Sequence, residues 1–233
     1  MLSSRLCRNF ILTSFFLILA SGLWANGKSD QSRLSNFQAE EQEESNWCWA
    51  AAVNMARKHF RLPEKEQCKI VSEALGRDCC GFWTSSSESC DIPGYSDRVA
   101  RNYGMNVRVI EANSESIPRA IKQGYFPILK LNYIGKSSGH LVVAYGTYRE
   151  NNNLYLEGYD PNYGYFVISA NNFIVRGNKF GGFWSQSFLV SAGRAKGFIF
   201  PEAQNPLDFF SVLELKDWDL KPHKPDGHSF LVR

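Results

Sequence analysis

Gly139-His140-Leu141-Val142-Val143-Ala144-Tyr145-Gly146-Thr147-Tyr148, then Arg149-Glu150-Asn151-Asn152-Asn153, then Leu154-Tyr155-Leu156-Glu157-Gly158-Tyr159-Asp160-Pro161, is the stretch on which the fold turns. Two runs rich in β-branched and aromatic residues flank an Asn-rich turn, the pattern of an antiparallel hairpin. Leu141 to Ala144 are apolar without alternation, so the first strand is expected to be central and covered on both faces. If Arg149 faces Asn153, His140 falls opposite Asn162. Asp160 then lies two places along on the same face, within diagonal reach. A loop one residue longer or shorter would send the two side chains to opposite faces.

Outward from this hairpin the second half of the chain keeps the strand period. Val107–Ile110, Pro127–Ile134, Tyr165–Ile168 and Phe183–Val190 read as further strands, and Ser116–Gln123 as a short helix closed by Gly124. The first half has a helical period. Trp49, Ala52, Val53, Ala56 and Phe60 recur at helical spacing over Trp47–Phe60, with Ser45 or Asn46 available as cap and Pro63 beyond the end. A second helix is expected from Pro63 to Leu75, with Pro at its first turn and Gly76 past its end, and a third over Ser96–Tyr103. Helices first and antiparallel strands afterwards predict an α+β fold, with a site in the crevice between the two layers.

The first 25 residues read as a secretory signal peptide. Arg5 and Arg8 precede an apolar core from Phe10 to Ala20, and the small residues Ala20, Gly22 and Ala25 offer cleavage points. The apolar run is short for a membrane span. Residues 26–195 form the expected domain. Residues 196–233 form an extension with one helix candidate, capped by Asn205 and opened by Pro206, before a tail rich in Lys, Pro, His and Gly. The net charge of +3 falls to about +1 once Arg5 and Arg8 are set aside. With no basic stripe, repeat or Gly-rich phosphate loop, nucleic-acid binding and nucleotide chemistry are not expected, nor is a membrane role after signal removal.

Cysteine usage fits export. Apart from Cys7, in the signal segment, and Cys48, four remain: Cys68, Cys79, Cys80 and Cys90. An even set in a Ser- and Gly-rich stretch predicts two disulfides in an oxidising compartment, secreted or periplasmic. A bond between the neighbours Cys79 and Cys80 is geometrically poor, so Cys68 is expected to pair with one and Cys90 with the other. Four thiols could instead bind zinc, but the doublet lacks the usual two-residue gap, and no metal or cofactor is expected.

Cys48 opens the first helix, where unpaired N–H groups and the helix dipole favour a thiolate. On its own, between Trp47 and Trp49, it would read equally well as a small buried hydrophobe. His140 and Asp160 change that. A thiol, a later imidazole and a carboxylate that fixes the imidazole tautomer make up a nucleophilic triad. Gln42, six residues before the thiol, could donate its amide to an oxyanion together with the Cys48 backbone N–H.

These residues carry a specific resemblance. Gln42, five residues, then Cys48-Trp49-Ala50-Ala51, followed by Gly139-His140 and Asp160-Pro161, is similar to the papain-like cysteine peptidases, in particular the bacterial branch with avirulence-type effector proteases and bacteriocin-leader peptidases. The resemblance covers about Gln42 to Val190. It implies a papain-like fold, Cys48 as nucleophile, His140 as general base, Asp160 as orienting carboxylate, Gln42 as oxyanion amide, and a protein or peptide substrate acted on by a monomer. Two departures from plant-type enzymes are Ser45, where those carry a disulfide cysteine, and Asp160, where they carry Asn. The same triad would also serve a cell-wall amidase of the NlpC type or a transglutaminase-like acyl transferase, and the fold alone would serve a binding module without turnover. His59 is expected to be solvated, and His223 and His228 to lie in a loose tail.

Overall fold

A computed structural model describes residues 29–81, 87–133, 139–176 and 182–193. The signal segment and the C-terminal extension, with its helix candidate and His223 and His228, lie outside the described residues. The architecture is α+β, as the change of period predicts. Seven antiparallel strands, β1 (Ser29–Arg33), β2 (Asn106–Glu111), β3 (Phe126–Tyr133), β4 (Gly139–Glu150), β5 (Asn153–Asp160), β6 (Gly164–Ser169) and β7 (Gly182–Ser191), form one sheet in the order β2-β7-β3-β4-β5-β6, with β1 also paired to β4. The helices are α1 (Cys48–His59), α2 (Gln67–Leu75), α3 (Ser96–Asn102), α4 (Ser116–Lys122) and α5 (Ala170–Arg176). Helix α1 packs on β3 and β4. Leu141, Val142, Val143 and Ala144 are all buried, so β4 is covered on both faces.

The hairpin differs from its expected register in an instructive way. The loop has two residues, Asn151 and Asn152, both left-handed at φ 49° and 63°, and Glu150 faces Asn153. Asn tolerates that conformation, which matches the twist of the flanking strands. Continued unbroken, this pairing would set Asp160 opposite Val143 and put its side chain on the other face from His140. The ladder slips instead between Ala144 and Gly146, where Tyr145 is an extra residue, and resumes with Val143 opposite Tyr159. Beyond this β-bulge the register is the one expected near the site, although the turn is one residue shorter. The carbonyl of the bulged Tyr145 accepts the N–H of Leu34 at 2.8 Å, so the segment after β1 covers the bulge.

Four local readings are corrected. Helix α2 starts at Gln67 rather than Pro63, because the carbonyls of Pro63 and Lys65 are taken by Arg57 (2.7 Å) and Asn54 (2.7 Å) of α1, which holds that segment extended. The polar stretch before Gln42 contributes strand β1, which fills the edge of β4 left open beyond its pairing with β3. Helix α5 was not foreseen, since Ala170–Arg176 is too short to show a period. His59 is half-buried against Phe60 and Phe126 rather than solvated.

The cysteines pair as Cys68–Cys80 and Cys79–Cys90, one of the expected arrangements, and Cys48 is free. Non-reducing peptide mapping is expected to recover these two linkages and an alkylatable Cys48. A second expectation concerns Gly158. A Cβ there would lie 2.1 Å from the Phe166 ring, which is itself buried and stacked on Phe173. Gly158→Ala should therefore cost about 1–3 kcal/mol in urea unfolding.

Candidate active site

Cys48 is the first residue of α1, half-buried, between the fully buried Trp47 and Trp49. The first N–H groups of a helix have no acceptor inside it, so the Cys48 N–H is free to serve as a donor beside its own sulfur. Neither Ser45 nor Asn46 caps the helix through its side chain, contrary to expectation, and no acidic residue stands in its first turn.

His140 enters the site from the start of β4 and Asp160 from the end of β5. His140 Nε2 lies 2.8 Å from Asp160 Oδ1, with the imidazole 7% exposed and the carboxylate fully buried. Oδ1 also accepts the backbone N–H groups of Asn162 (2.8 Å) and Tyr163 (3.3 Å) from the turn that follows. With Nε2 engaged, Nδ1 is the nitrogen left to face the thiol, and Cys48 acts electrostatically on the same ring as Asp160 does. Burial works against a charged imidazole, yet the Asp160 carboxylate and the Cys48 thiolate outweigh it and push His140 up to about 10. The structure thus brings His140 and Asp160 into hydrogen-bond contact, with Cys48 near enough to act on the same ring.

Gln42 also reaches this region, but its amide faces elsewhere. Its backbone N–H donates to the Pro161 carbonyl at 3.0 Å, which ties it to the residue after Asp160. Its Nε2 donates to the carbonyls of Glu44 (2.9 Å) and Ser45 (2.7 Å). Both amide hydrogens are thus used within its own loop, and the side chain must turn before it can meet an oxyanion.

Three further residues belong to the site and were not foreseen. Tyr133, at the end of β3, has a phenol held well above its ordinary pKa by burial and then by the negative charges of Cys48 and Asp160. Its only sequence signal was an aromatic at the end of a core strand. Asn46 donates its backbone N–H to Asp91 Oδ1 at 2.7 Å and its side-chain amide to the Asp91 carbonyl at 2.9 Å. No local pattern marks a contact across 45 residues.

No protein-family model matches the chain, and no curated protein sequence matches it either. Among solved structures it is similar to the peptidase domain of Streptococcus ComA, a bi-functional ABC transporter involved in quorum sensing. That match has a TM-score of 0.44 and 18% identity over 67% of this chain and 98% of the other. It is also similar to digestive procathepsin L 3 of the Tenebrio molitor larval midgut (TM-score 0.46, 13% identity, 70% of each chain). A third is the Pseudomonas avirulence protein AvrPphB (TM-score 0.30, 16% identity, 68% of this chain and all of that one).

Two anions hold the His140 proton, so removing either should release it. Histidine-selective NMR is expected to show the wild-type ring charged through pH 8. The titration midpoint should fall in both Asp160→Asn and Cys48→Ala, where burial is opposed by one anion instead of two.

Proposed function

We propose that the protein is an exported cysteine peptidase that hydrolyses peptide bonds through a Cys48 acyl-enzyme. The observation that carries this reading is the ring of His140, bonded through Nε2 to a buried carboxylate and electrostatically coupled to Cys48, the first residue of a helix. That arrangement favours a thiolate–imidazolium pair, which attacks a carbonyl without needing a separate deprotonation.

In the proposed reaction the Cys48 sulfur adds to the carbonyl carbon, and the oxyanion meets the Cys48 backbone N–H. Gln42 joins it once its amide leaves the Glu44 and Ser45 carbonyls. Loss of one such donor typically costs about 3–4 kcal/mol of transition-state stabilisation. The His140 proton passes to the leaving amine as the C–N bond breaks, leaving a thioester. His140 then takes a proton from water, whose oxygen attacks the thioester, and the carboxylic acid departs as the thiolate reforms. Asp160 keeps the imidazole in the tautomer and orientation that both halves need. Two disulfides among the described residues, and a sequence that opens with a signal-like segment, support a secreted or periplasmic setting. Among those residues no helix is long and apolar enough to cross a membrane.

Cys48→Ala is expected to abolish casein digestion and labelling by epoxide thiol inhibitors. Asp160→Asn should lower kcat by roughly 10–10³, less than the 10⁴ of a serine triad, because a preformed ion pair needs less help from the carboxylate. Digestion of peptidoglycan without digestion of casein would move the reading to a cell-wall amidase.

A further inference from the structure

The nucleophile is framed by a distant loop. Four groups flanking Cys48 donate hydrogen bonds to three consecutive residues of it. Trp47 Nε1 meets the Cys90 carbonyl (2.9 Å), the Asn46 backbone N–H meets Asp91 Oδ1 (2.7 Å), Asn46 Nδ2 meets the Asp91 carbonyl (2.9 Å), and Trp49 Nε1 meets the Ile92 carbonyl (3.0 Å). Two residues on, a Cβ at Gly94 would fall 2.4 Å from the Trp49 indole, so the loop lies flat against that ring. Cys90 is itself bonded to Cys79, and the neighbouring Cys80 to Cys68 of α2. The contacts therefore form a chain from α2 through two cystines to the start of α1.

We propose that Asp91, held in place by the Cys79–Cys90 disulfide, is the positioning residue for Cys48, so that reactivity of the thiol depends on an oxidised Cys79–Cys90 pair. The inference rests on the hydrolase reading, and it adds a control point that the triad does not contain. Helix α1 starts without a side-chain cap of its own. The direction of its first turn, and with it the sulfur, is set by what holds residues 46–49. An error of about 1 Å in such a placement costs on the order of 10²-fold in rate. The Asp91 carboxylate is half-buried, and burial raises its pKa while the N–H groups of Asn46 and Ser45 hold it down. A carboxylate kept there against its solvation preference is better explained by the N–H groups it fixes than by fold stability alone.

The test measures alkylation of Cys48 by iodoacetamide, followed by intact mass on the full chain, together with kcat and KM on casein-derived peptides. Asp91→Ala should slow alkylation about tenfold or more and lower kcat with KM within twofold. Asp91→Asn keeps an acceptor for the Asn46 N–H and should stay within threefold of wild type. The Cys79→Ser, Cys90→Ser double variant should behave like Asp91→Ala, with Cys68–Cys80 intact. If Asp91→Ala does not fold, the double variant and wild type selectively reduced at Cys79–Cys90 carry the test. A folded Asp91→Ala or reduced protein that alkylates at the wild-type rate overturns the inference while leaving the hydrolase reading in place. Wild-type Cys48 that reacts no faster than free cysteine overturns that reading itself.

Discussion

A carboxylate withdrawn wholly from water, as Asp160 is, needs donors on hand, because the effective penalty for an unpaired buried ion is several kcal/mol. Three converge on its Oδ1: the His140 ring and the backbone N–H groups of Asn162 and Tyr163. The two backbone donors exist only because β5 ends at Asp160 and the chain turns at once. The third requires that β4 present His140 on the same face two positions away. Pairing of this kind makes removal of one partner costly, about 3–5 kcal/mol in comparable buried pairs, so the site is also a structural element. Turn, strand end and register answer to one buried charge.

That demand explains the bulge. A two-residue Asn-Asn turn suits the twist of a hairpin but delivers Asp160 to the wrong face. One extra residue at Tyr145 restores the face, and the N–H of Leu34 satisfies the carbonyl that the bulge exposes. The hairpin, its turn chemistry and the central position of β4 were legible in the sequence because they are local: alternation, Asn residues and an unbroken apolar run. The bulge was not, since Tyr145 has no composition that separates it from Tyr148 or Tyr155. The expected register near the site came out right through two offsetting departures, a shorter turn and a slipped ladder.

The same division runs through the helical half. Helix α1 was readable from its period, to within one residue at each end. The start of α2 was not, because Asn54 and Arg57 compete for the carbonyls of the segment that Pro63 would otherwise begin, and a tertiary hydrogen bond outweighs a first-turn propensity. Cys48, His140 and Asp160 were legible as types at suggestive places. The residues around them were not: Tyr133, Asp91 and the Cys90–Ile92 carbonyls come from tens of residues away in sequence and leave no spacing to read. Gln42 shows the converse limit. Its spacing was informative and its loop is anchored beside Asp160, yet both amide hydrogens are spent on Glu44 and Ser45.

The chemistry and the frame make opposite redox demands, and the fold separates them in space. Turnover by sulfur needs Cys48 as a thiolate, whereas the loop that holds its helix is tied by cystines. An oxidising compartment suits the second and threatens the first. Cys48 has no sulfur partner, and the two residues beside it are indoles whose N–H groups are already committed to the Cys90 and Ile92 carbonyls. The same two bonds tie the residues on either side of Cys48 to the loop that the Cys79–Cys90 cystine closes. Asp160 favours the charged form of His140, which on the hydrolase reading prepares the sulfur for attack on a carbonyl. The separation lets the frame be oxidised while the thiol that the proposed chemistry needs stays out of the pairing.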